Sequence, residues 1–374
     1  MKRVVIIGCG FAGMTAARIL ARYRKEIQII VIDKNLDMNF LPLLPDIIGR
    51  GFSPFFLTYP IREISKKYRF SFLHDEVKSV DMQRKLVALS GGKDIPYDYA
   101  ILTCGSETNF YGNAGIQTHA FKLDDTRDAL KILSSIDAGV FDTFLISGGG
   151  YTGIEIATAI RRKLDSVGGK QRIIIVERAP LILGVLPEWM RTYVERNLKL
   201  MNIEVLTDTV IDKVESGKVS FSGGVSFEKA MLVWAAGVKI PDILYDGKIN
   251  RNPQGRIHTD EYLRIGDHCF AAGDTALIAS GSSFLRMGVQ FSLYEGVCAA
   301  DNVIRSIRGR KLRKYTPCDL GYIIPMANNR SCGSIMGLNL EGRLPTFLHY
   351  CMCIYRSVGL KNKFGLLKSL LGWK

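Results

Sequence analysis

The hydrophobic pattern of the chain begins with a strand, a turn and a helix. Val4 to Ile7 are consecutive branched apolar residues, which is typical of a strand buried on both faces of a parallel sheet. Met14 to Leu20 continue with the small and apolar residues of a buried helix, and a second apolar run, Ile27 to Ile32, ends at Asp33. This order of elements predicts a βαβ unit.

The turn between the first strand and helix carries glycines at the spacing of a dinucleotide-binding loop. Gly8 permits the tight turn, Gly10 leaves the backbone open to a pyrophosphate, and Gly13 lets the helix pack closely on the strand. The N-terminus of the helix offers free N–H groups to the phosphates, and Asp33 is placed to accept the two hydroxyls of an adenosine ribose. The structural alternative is a glycine-rich turn that binds nothing.

The same pattern returns in the middle of the chain. Gly148, Gly150 and Gly153 stand in register with the first three glycines, and Glu177 ends the next apolar strand as Asp33 does. Two copies of this signal predict two dinucleotides held by one chain. A carboxylate at Glu177 pairs with a free 2′-hydroxyl and repels a 2′-phosphate, which favours NADH over NADPH.

A third signal is the short apolar strand from Cys269 that ends in Gly273 and Asp274. Beside the first nucleotide site, Asp274 can accept hydrogen bonds from a ribityl chain, so the series predicts FAD. We therefore expect an α/β fold of two Rossmann-like dinucleotide-binding domains, as in glutathione-reductase-like flavoproteins, plus a C-terminal membrane-interface region. The expected boundaries are 1–112 with 238–318 for FAD, 113–237 for NADH and 319–374 for the C-terminal region.

Two further stretches complete the predicted elements. His74 to Ala88 alternate apolar and polar residues as antiparallel strands do, with Val77 and Val80 facing inward. Met38 to Pro45 are interpreted as a proline-punctuated loop, which holds no cysteine.

Composition narrows the class of protein. The eight cysteines of the 374 residues form no C-x-x-C motif and no zinc-like spacing, so neither a disulfide scaffold nor a metal site is expected. Scattered cysteines fit a reducing compartment. Lys2 and Arg3 lead directly into the first strand with no apolar signal segment, which predicts a cytoplasmic protein.

The positive charge is concentrated at the C-terminus. From Arg305 to Lys374, 13 Lys and Arg stand against two acidic residues, so the rest of the chain carries only +3 of the net +14. This surplus favours an anionic membrane surface as partner, with no nucleic acid expected; a solvated basic face is the alternative.

No run of 18 apolar residues could span a bilayer, but the C-terminus predicts an interfacial helix. Phe364, Leu367 and Leu371 recur at helical spacing, Lys363 and Lys368 flank them, and Trp373 closes the stripe. The alternative is a stripe that packs on the protein's own body or on a second subunit, as in a homodimer.

Four stretches of the chain carry a more specific resemblance, to a single family. Four stretches resemble type II NADH:quinone oxidoreductases, the single-subunit, non-pumping respiratory dehydrogenases: 39–44, 105–112, 148–155 and 356–364. The resemblance covers nearly the whole chain. It implies an enzyme that holds FAD, takes hydride from NADH and passes two electrons to a membrane quinone. It also implies a peripheral protein on the cytoplasmic face of the cell membrane.

The resemblance also implies catalytic residues. In the family, a helix of pattern Ala-Gln-x-Ala-x-Gln lines the quinone site; here Gln290 is kept, and Tyr294 replaces the second glutamine. The family places a glutamate at the position of Glu155, near nicotinamide and flavin, where it can orient the ring or relay a proton. Structurally, a glutamate in the first turn of a helix needs no further purpose, because the helix dipole stabilises it.

The candidate catalytic residues are thus Glu155, Gln290 and Tyr294, with no metal ligand. The candidate cofactor-binding residues are, in chain order, Gly8, Gly10, Phe11, Ala12, Gly13, Asp33, Lys34, Val77, Cys104, Gly105, Gly148, Gly150, Tyr151, Thr152, Gly153, Glu177, Ala236, Gly237, Gly273 and Asp274.

Two alternative functions remain open. A sulfide:quinone oxidoreductase would need two redox cysteines beside the flavin, for which the sequence offers Cys104, Cys332, Cys351 and Cys353. Against it stands the intact second fingerprint with Glu177, which a sulfide oxidiser does not use. The other alternative is a non-catalytic flavoprotein that senses redox state while its basic tail binds a partner.

Overall fold

The β-branched runs of the sequence form strands, the environment that such side chains favour. In the computed structural model, which describes residues 1–246, 249–281 and 283–372, the strands β1 to β28 are, in chain order, Lys2–Ile7, Ile27–Asp33, Asp37–Asn39, Thr58–Pro60, Ser71–His74, Val77–Asp81, Leu86–Leu89, Asp94–Pro96, Tyr99–Leu102, Glu107–Thr108, Thr143–Ser147, Arg172–Val176, Ile203–Leu206, Ile211–Glu215, Lys218–Phe221, Ser226–Glu228, Ala230–Trp234, Val238–Lys239, Leu244–Tyr245, Ile257–His258, Arg264–Gly266, Cys269–Ala271, Ala276–Leu277, Ala279–Ser280, Ser283–Phe284, Gly321–Ile324, Ser331–Ile335 and Leu338–Gly342.

Helices follow the glycine turns and close the chain. Helices α1 to α10 are, in order, Phe11–Leu20, Leu44–Arg50, Ile61–Tyr68, Ala114–His119, Thr126–Asp137, Tyr151–Ser166, Glu188–Leu200, Val289–Ile307, Arg343–Arg356 and Leu360–Leu370. Among the described residues, none of these helices combines the length and the apolar character that crossing a membrane requires.

The chain divides into two compact units. The first unit contains Met1–Met38, Tyr59–Glu107 and Val238–Asp319. The second contains Asn39–Thr58, Thr108–Gly237 and Leu320–Lys374. Trp373, the predicted end of the C-terminal stripe, lies outside the described residues.

The first unit is built on a six-stranded sheet in the order β21-β22-β9-β1-β2-β5. β1 runs parallel to both neighbours, with Val4 opposite Ile29 and Tyr99. Val4, Val5 and Ile6 in β1 are fully buried, and each such side chain contributes about 1.5–3 kcal/mol relative to exposure. The first predicted Rossmann-like domain is confirmed.

Helices α1 and α8 of the first unit pack against each other at a glycine. A Cβ placed on Gly296 would lie 2.4 Å from the carbonyl oxygen of Ala12, so only glycine permits this approach. The antiparallel strands β6, β7 and β8 form a separate layer in which Val77 and Val80 are buried, as the alternating pattern predicts.

The second unit repeats the arrangement with the parallel sheet β13-β12-β11-β17. Ile146 at the centre of β11 lies opposite Ile175 and Val233 and is fully buried. This sheet confirms the second predicted Rossmann-like domain. Two antiparallel sheets, β14-β15-β16 and β26-β27-β28, complete the unit together with α9 and α10.

The predicted loop from Met38 to Pro45 is wrong at both ends, because Met38 and Asn39 belong to β3 and Leu44 and Pro45 belong to α2. Helix α2 begins at Leu44, and Pro45 lies in its first turn. Proline is tolerated there because the N–H that it lacks has no acceptor inside the helix. The helix ends at Gly51, whose φ of 68° gives the left-handed termination that glycine favours.

Candidate functional site

The first glycine turn lies at the carboxyl end of β1 in the first unit. A Cβ on Gly8 would lie 2.2 Å from the carbonyl oxygen of Thr103, and one on Gly13 would lie 1.9 Å from that of Gly8. Both positions therefore require glycine for packing within the protein. Gly10 does not: its φ is −71°, and no atom of the described residues lies within 4 Å of the added Cβ. The open space in front of Gly10 leaves room for a phosphate.

Asp33 at the end of β2 is oriented by this turn. Its Oδ2 accepts a hydrogen bond from the backbone N–H of Cys9 at 2.6 Å, and its Oδ1 accepts one from Asn35 at 2.8 Å. Burial raises the pKa of Asp33, while these two backbone donors oppose the shift. A carboxylate has further lone pairs, so Asp33 can also accept ribose hydroxyls.

The third predicted element lies beside the first turn. A Cβ on Gly273, where φ is +73°, would approach the Cβ of Ala12 to 3.1 Å. The N–H of Gly273 donates to Glu295 at 2.6 Å, and Ser106 donates its hydroxyl proton to Asp274 at 2.7 Å. The structure thus brings the predicted Gly-Asp pair next to the first residues of α1.

Two buried ionisable residues beside the Gly-Asp pair were missed by the sequence analysis. Arg256 donates hydrogen bonds to the carbonyl oxygens of Asp274 and Ala276, the latter at 2.6 Å. Burial raises the pKa of Glu295, on α8, to about 8. Neither residue belongs to a local motif, and only the fold brings them to Gly273.

The other candidates for the first cofactor lie in the same unit. Lys34 forms an ion pair with Glu107 at 3.0 Å, and Val77 is buried in β6. The N–H of Gly105 donates to Thr275 at 3.2 Å. The thiol of Cys104 has its pKa raised to about 12, chiefly by burial. Phe11 and Ala12 form the first turn of α1.

The second glycine turn reproduces this geometry within the second unit. A Cβ on Gly148 would lie 2.7 Å from the carbonyl oxygen of Ala235, and one on Gly153 would lie 1.9 Å from that of Gly148. Gly150 has a φ of −84°, and its added Cβ meets no described atom within 4 Å. Here again only the middle glycine is unexplained by packing.

Glu177 and the end of β17 frame the second turn. The Oε2 of Glu177 accepts from the N–H of Gly149 at 2.7 Å, and its Oε1 accepts from that of Ala179 at 2.8 Å. The hydroxyl of Tyr111 donates to the carbonyl oxygen of Ala236 at 3.2 Å and lies where a Cβ on Gly237 would clash.

The side chains that begin α6 lie at the edge of this turn. Thr152 is exposed, and Tyr151 packs edge-on against Tyr322 with ring centroids 6.1 Å apart. All predicted residues of the second nucleotide site therefore meet in one place in the second unit.

Gln290 and Tyr294 lie in the first two turns of α8. The amide nitrogen of the buried Gln290 donates to Asp319 at 3.1 Å. Asp319 is also paired bidentately with Arg286, whose guanidinium lies 5.0 Å from the ring centre of Phe291. Tyr294 is 48% exposed, so only Gln290 of the two is held by its surroundings.

Glu155 lies outside the first turn of its helix, which corrects one sequence-based explanation. Helix α6 begins at Tyr151, so Glu155 is its fifth residue and no acidic residue occupies the first turn. The free N–H groups of a helix N-terminus therefore do not explain a glutamate here. Burial and the charge of Asp46 raise the pKa of Glu155 to about 8.

Beside Glu155 the second unit holds a polar group that the sequence analysis missed. Asp46 on α2 forms an ion pair with Arg50 at 2.8 Å and accepts a hydrogen bond from the hydroxyl of Tyr350, on α9, at 2.7 Å. Asp46 and Tyr350 are 304 residues apart in the chain, so no local pattern could indicate the contact.

Comparison with known proteins identifies the family. Residues 2–300 match the family described as Pyridine nucleotide-disulphide oxidoreductase. The chain belongs to this family. Its two Rossmann-like domains are those that the members of the pyridine nucleotide-disulphide oxidoreductase family are built on.

Curated relatives align along almost the entire chain. The type II NADH:quinone oxidoreductase of Haemophilus influenzae is 25% identical over 95% of this chain and 93% of its own length. The demethylphylloquinone reductase NdbB of Synechocystis is 24% identical over 95% of this chain and 92% of its own length. The resemblance stated from the sequence motifs is thereby confirmed.

Solved structures support the fold. NDH2 from Plasmodium falciparum in complex with NADH has a TM-score of 0.84 at 16% identity and covers 99% of this chain and 97% of its own. The sulfide:quinone oxidoreductase of Aquifex aeolicus has a TM-score of 0.82 at 18% identity, with 98% and 93% covered. At these identities the similarity establishes a shared fold.

The open glycine turn predicts separate effects on folding and on cofactor binding. We expect Gly10→Ala to fold and melt nearly as the wild type does, because its Cβ meets no protein atom, but to bind FAD at least about tenfold more weakly, since the methyl group occupies the phosphate position. Flavin absorbance after gel filtration, with melting curves of the flavin-free protein, measures both. Gly8→Ala is the contrasting variant and should fail to fold; undiminished FAD binding by Gly10→Ala would contradict the assignment.

The raised pKa of Glu155 predicts a pH-dependent stability. Between its ordinary pKa of 4.5 and about 8, the unfolded chain releases the proton that the folded protein keeps, so this group lowers stability as pH rises. Glutamine does not titrate. We therefore expect Glu155→Gln to raise the melting temperature at pH 8 and to change it little at pH 5. An equal change at both pH values would show that the pKa of Glu155 is not raised.

Proposed function

We propose that this protein is a type II NADH:quinone oxidoreductase that uses FAD. The proposal rests on one observation above the others: relatives of that name align with 95% and 93% of this chain. The chain carries two separate nucleotide turns, each with an open middle glycine and a carboxylate at the end of the next strand. A reaction between two bound dinucleotides needs both.

The first unit would hold FAD. Gly10 and the N-terminus of α1 receive the pyrophosphate, and Asp33, oriented by Cys9 and Asn35, accepts the adenosine ribose. Asp274 faces the same turn and offers acceptors to the ribityl chain, while the Gly273 N–H and Arg256 hold that segment in place. We assign the remaining candidates of the first unit to the same cofactor: Lys34, Val77, Cys104 and Gly105.

The second unit would hold NADH. Gly150 and the N-terminus of α6 receive its pyrophosphate. The carboxylate of Glu177 is fixed by two backbone N–H groups in the position that receives a ribose 2′-hydroxyl, which disfavours the 2′-phosphate of NADPH. Tyr151, Thr152, Ala236 and Gly237 complete this site.

The protein's own residues position the substrates and move protons. FAD, when bound, would accept a hydride from NADH and pass two electrons on to a quinone. Gln290 lies on α8, the helix that also carries Glu295, the acceptor of the Gly273 N–H. We assign Gln290 to the quinone carbonyl, with Tyr294 beside it. Glu155 is the residue we assign to the nicotinamide side, where a carboxyl group can orient the ring or carry a proton.

The cysteines argue against sulfide oxidation. Burial raises the pKa of Cys104 and of Cys332 to about 12 and raises that of Cys353 as well, so these thiols stay protonated at neutral pH. The thiolate is the nucleophilic form of cysteine, and redox cysteines normally have a lowered pKa. The sulfide:quinone oxidoreductase remains a structural neighbour at low identity.

The C-terminal helices would bind the protein to the membrane surface. Helix α10 buries Leu366 and leaves Phe364 69% exposed and Leu367 40% exposed, and on α9 Phe347 is 62% exposed. Exposed apolar residues of this size beside lysines are typical of a helix that lies in the interface of an anionic bilayer. We assign the protein to the cytoplasmic face of the cell membrane and include a homodimer as a further candidate assembly.

We also propose a functional division of the chain. Residues 1–112 and 238–318 would bind FAD, 113–237 would bind NADH, and 319–374 would carry the membrane contact and part of the quinone site. The basic surplus of this last region favours lipid headgroups over a nucleic acid.

An anaerobic titration tests the activity. We expect NADH to bleach the yellow flavin of the purified protein and a short-chain quinone to restore the colour, because the electrons leave FAD for the quinone. Replacing Cys332, Cys351 and Cys353 with serine should preserve both steps, although it would remove at least one member of any redox pair that a sulfide oxidoreductase draws from the four candidate cysteines. Bleaching by sulfide but not by NADH would instead establish the sulfide oxidoreductase, and slow recolouring with every quinone offered would support the redox-sensing alternative.

Vesicle sedimentation tests the membrane surface. We expect the double variant Phe347→Asp, Phe364→Asp to be released from anionic phospholipid vesicles. Each phenylalanine that no longer inserts into the lipid weakens binding by about 1.5–3 kcal/mol. Leu200→Asp, on the equally exposed end of α7, is the matched control and should sediment as the wild type does. Binding of the wild type should also fall with added salt. Unchanged sedimentation of the double variant would exclude these helices as the contact.

A further inference from the structure

Two carboxylates of the second unit line one small cavity. The cavity has a volume of about 20 Å³, sufficient for one water molecule, and its lining includes Asp46, Glu155, Thr158 and Tyr350. Asp46 comes from α2, Glu155 and Thr158 from α6, and Tyr350 from α9. Residues from three helices thus converge on one point.

A close helix contact brings the two carboxylates to this cavity. A Cβ on Gly49 would lie 2.9 Å from the Cα of Ala159, so α2 and α6 approach more closely than any other residue at 49 would allow. Asp46 precedes Gly49 by three residues and Glu155 precedes Ala159 by four, so each carboxylate lies on the contacting face of its helix.

The two carboxylates, Asp46 and Glu155, differ in their polar partners. Asp46 is paired with Arg50 at 2.8 Å, with side-chain exposures of 9% for Arg50 and 13% for Asp46, and the hydroxyl of Tyr350 donates to it. The Arg50 guanidinium also lies 5.0 Å from the ring centre of Tyr350, which fixes the three groups together. Within the described part of the chain, no side-chain hydrogen bond or ion pair is found for Glu155.

We propose that Asp46, whose carboxylate is paired with Arg50 and accepts a hydrogen bond from Tyr350, is a positioning residue that keeps the proton of the shared cavity on Glu155. Two carboxylates that share one site do not both ionise readily, and the proton stays on the one with fewer stabilising partners. That carboxylate is Glu155. The inference rests on the proposed function only in the use it gives to this proton.

The other charged groups near the cavity act on the same balance. Burial raises the pKa of Asp46, while Arg50, the Tyr350 hydroxyl and Arg162 of α6 oppose this shift by favouring the ionised form. From α9, Cys353 stays protonated, and His349 is neutral because burial lowers its pKa to about 4. The segment after β26 contributes Pro325, Met326 and Ala327, none of which titrates.

The chemical use of this arrangement follows from the balance of the proposed reaction. NADH and one proton from solution reduce a quinone to a quinol, so each turnover consumes a proton that the protein must admit. A carboxyl group with a pKa of about 8 is protonated at neutral pH and can release and regain a proton near that value. Asp46 would keep Glu155 in this range without touching the substrates.

An infrared titration of the FAD-loaded protein tests the inference. The carboxyl band of Glu155 is identified by its loss in Glu155→Gln, and its midpoint is followed with pH. We expect Asp46→Asn to lower the midpoint by about one pH unit or more, because the neighbouring negative charge is lost. Asp46→Glu, which keeps the charge, should restore it. Asp128→Asn, at a buried aspartate of the second unit that pairs with Lys122, should leave the midpoint unchanged.

Further measurements keep the inference open to refutation. If Asp46→Asn fails to fold, Tyr350→Phe serves instead and should shift the midpoint in the same direction by less, since it weakens the hold on the Asp46 charge. A midpoint that is unchanged in either variant, or equally changed in Asp128→Asn, would overturn the inference.

The readout separates this inference from the proposed function. If the protein neither oxidises NADH nor reduces a quinone, the proposed function fails, but the Glu155 band can still shift in Asp46→Asn. If the enzyme is active and the band does not shift, only the role of Asp46 fails. If the enzyme is active and the band shifts, the fall in reaction rate at high pH should also occur at lower pH in Asp46→Asn.

Discussion

The structure depends on one steric constraint, the approach of a helix to the strand that precedes it. In both units the third glycine of the turn lies so close to the first that a Cβ would meet the carbonyl oxygen of Gly8 or Gly148 at 1.9 Å. This contact places the helix N-terminus over the carboxyl end of the sheet, where ligands of such sheets bind. The carboxylates of Asp33 and Glu177 are then oriented by backbone N–H groups of the same turns.

Glycines of the turn separate into two kinds when their surroundings are compared. Gly13 and Gly153 are required by the protein's own packing, whereas Gly10 and Gly150 have ordinary φ values and open space before them. Packing alone would have allowed alanine at the middle position. The ligand is therefore the remaining physical reason for glycine there, which is stronger support for nucleotide binding than the spacing itself.

Sequence reasoning succeeded where the determining contacts are local. The paired strands, the turns and the acids at the strand ends lie within about thirty residues of one another, and their pattern predicts both sheets. It failed for Arg256 and Glu295 beneath Gly273, and for the polar group around Glu155, because those neighbours come from distant parts of the chain. The loop assigned before Pro45 failed for a different reason, since a proline in a first helical turn resembles a loop.

Tyr350 on α9 links the C-terminal helices to helix α2. Its hydroxyl reaches back across 304 residues to the ion pair on α2, from a helix whose outer side carries exposed apolar residues. A shortened chain without α9 would thus lose an internal hydrogen-bond donor together with any lipid contact. Truncation of the C-terminal helices would therefore change the polar group around Glu155 as well as the exposed apolar surface of α9 and α10.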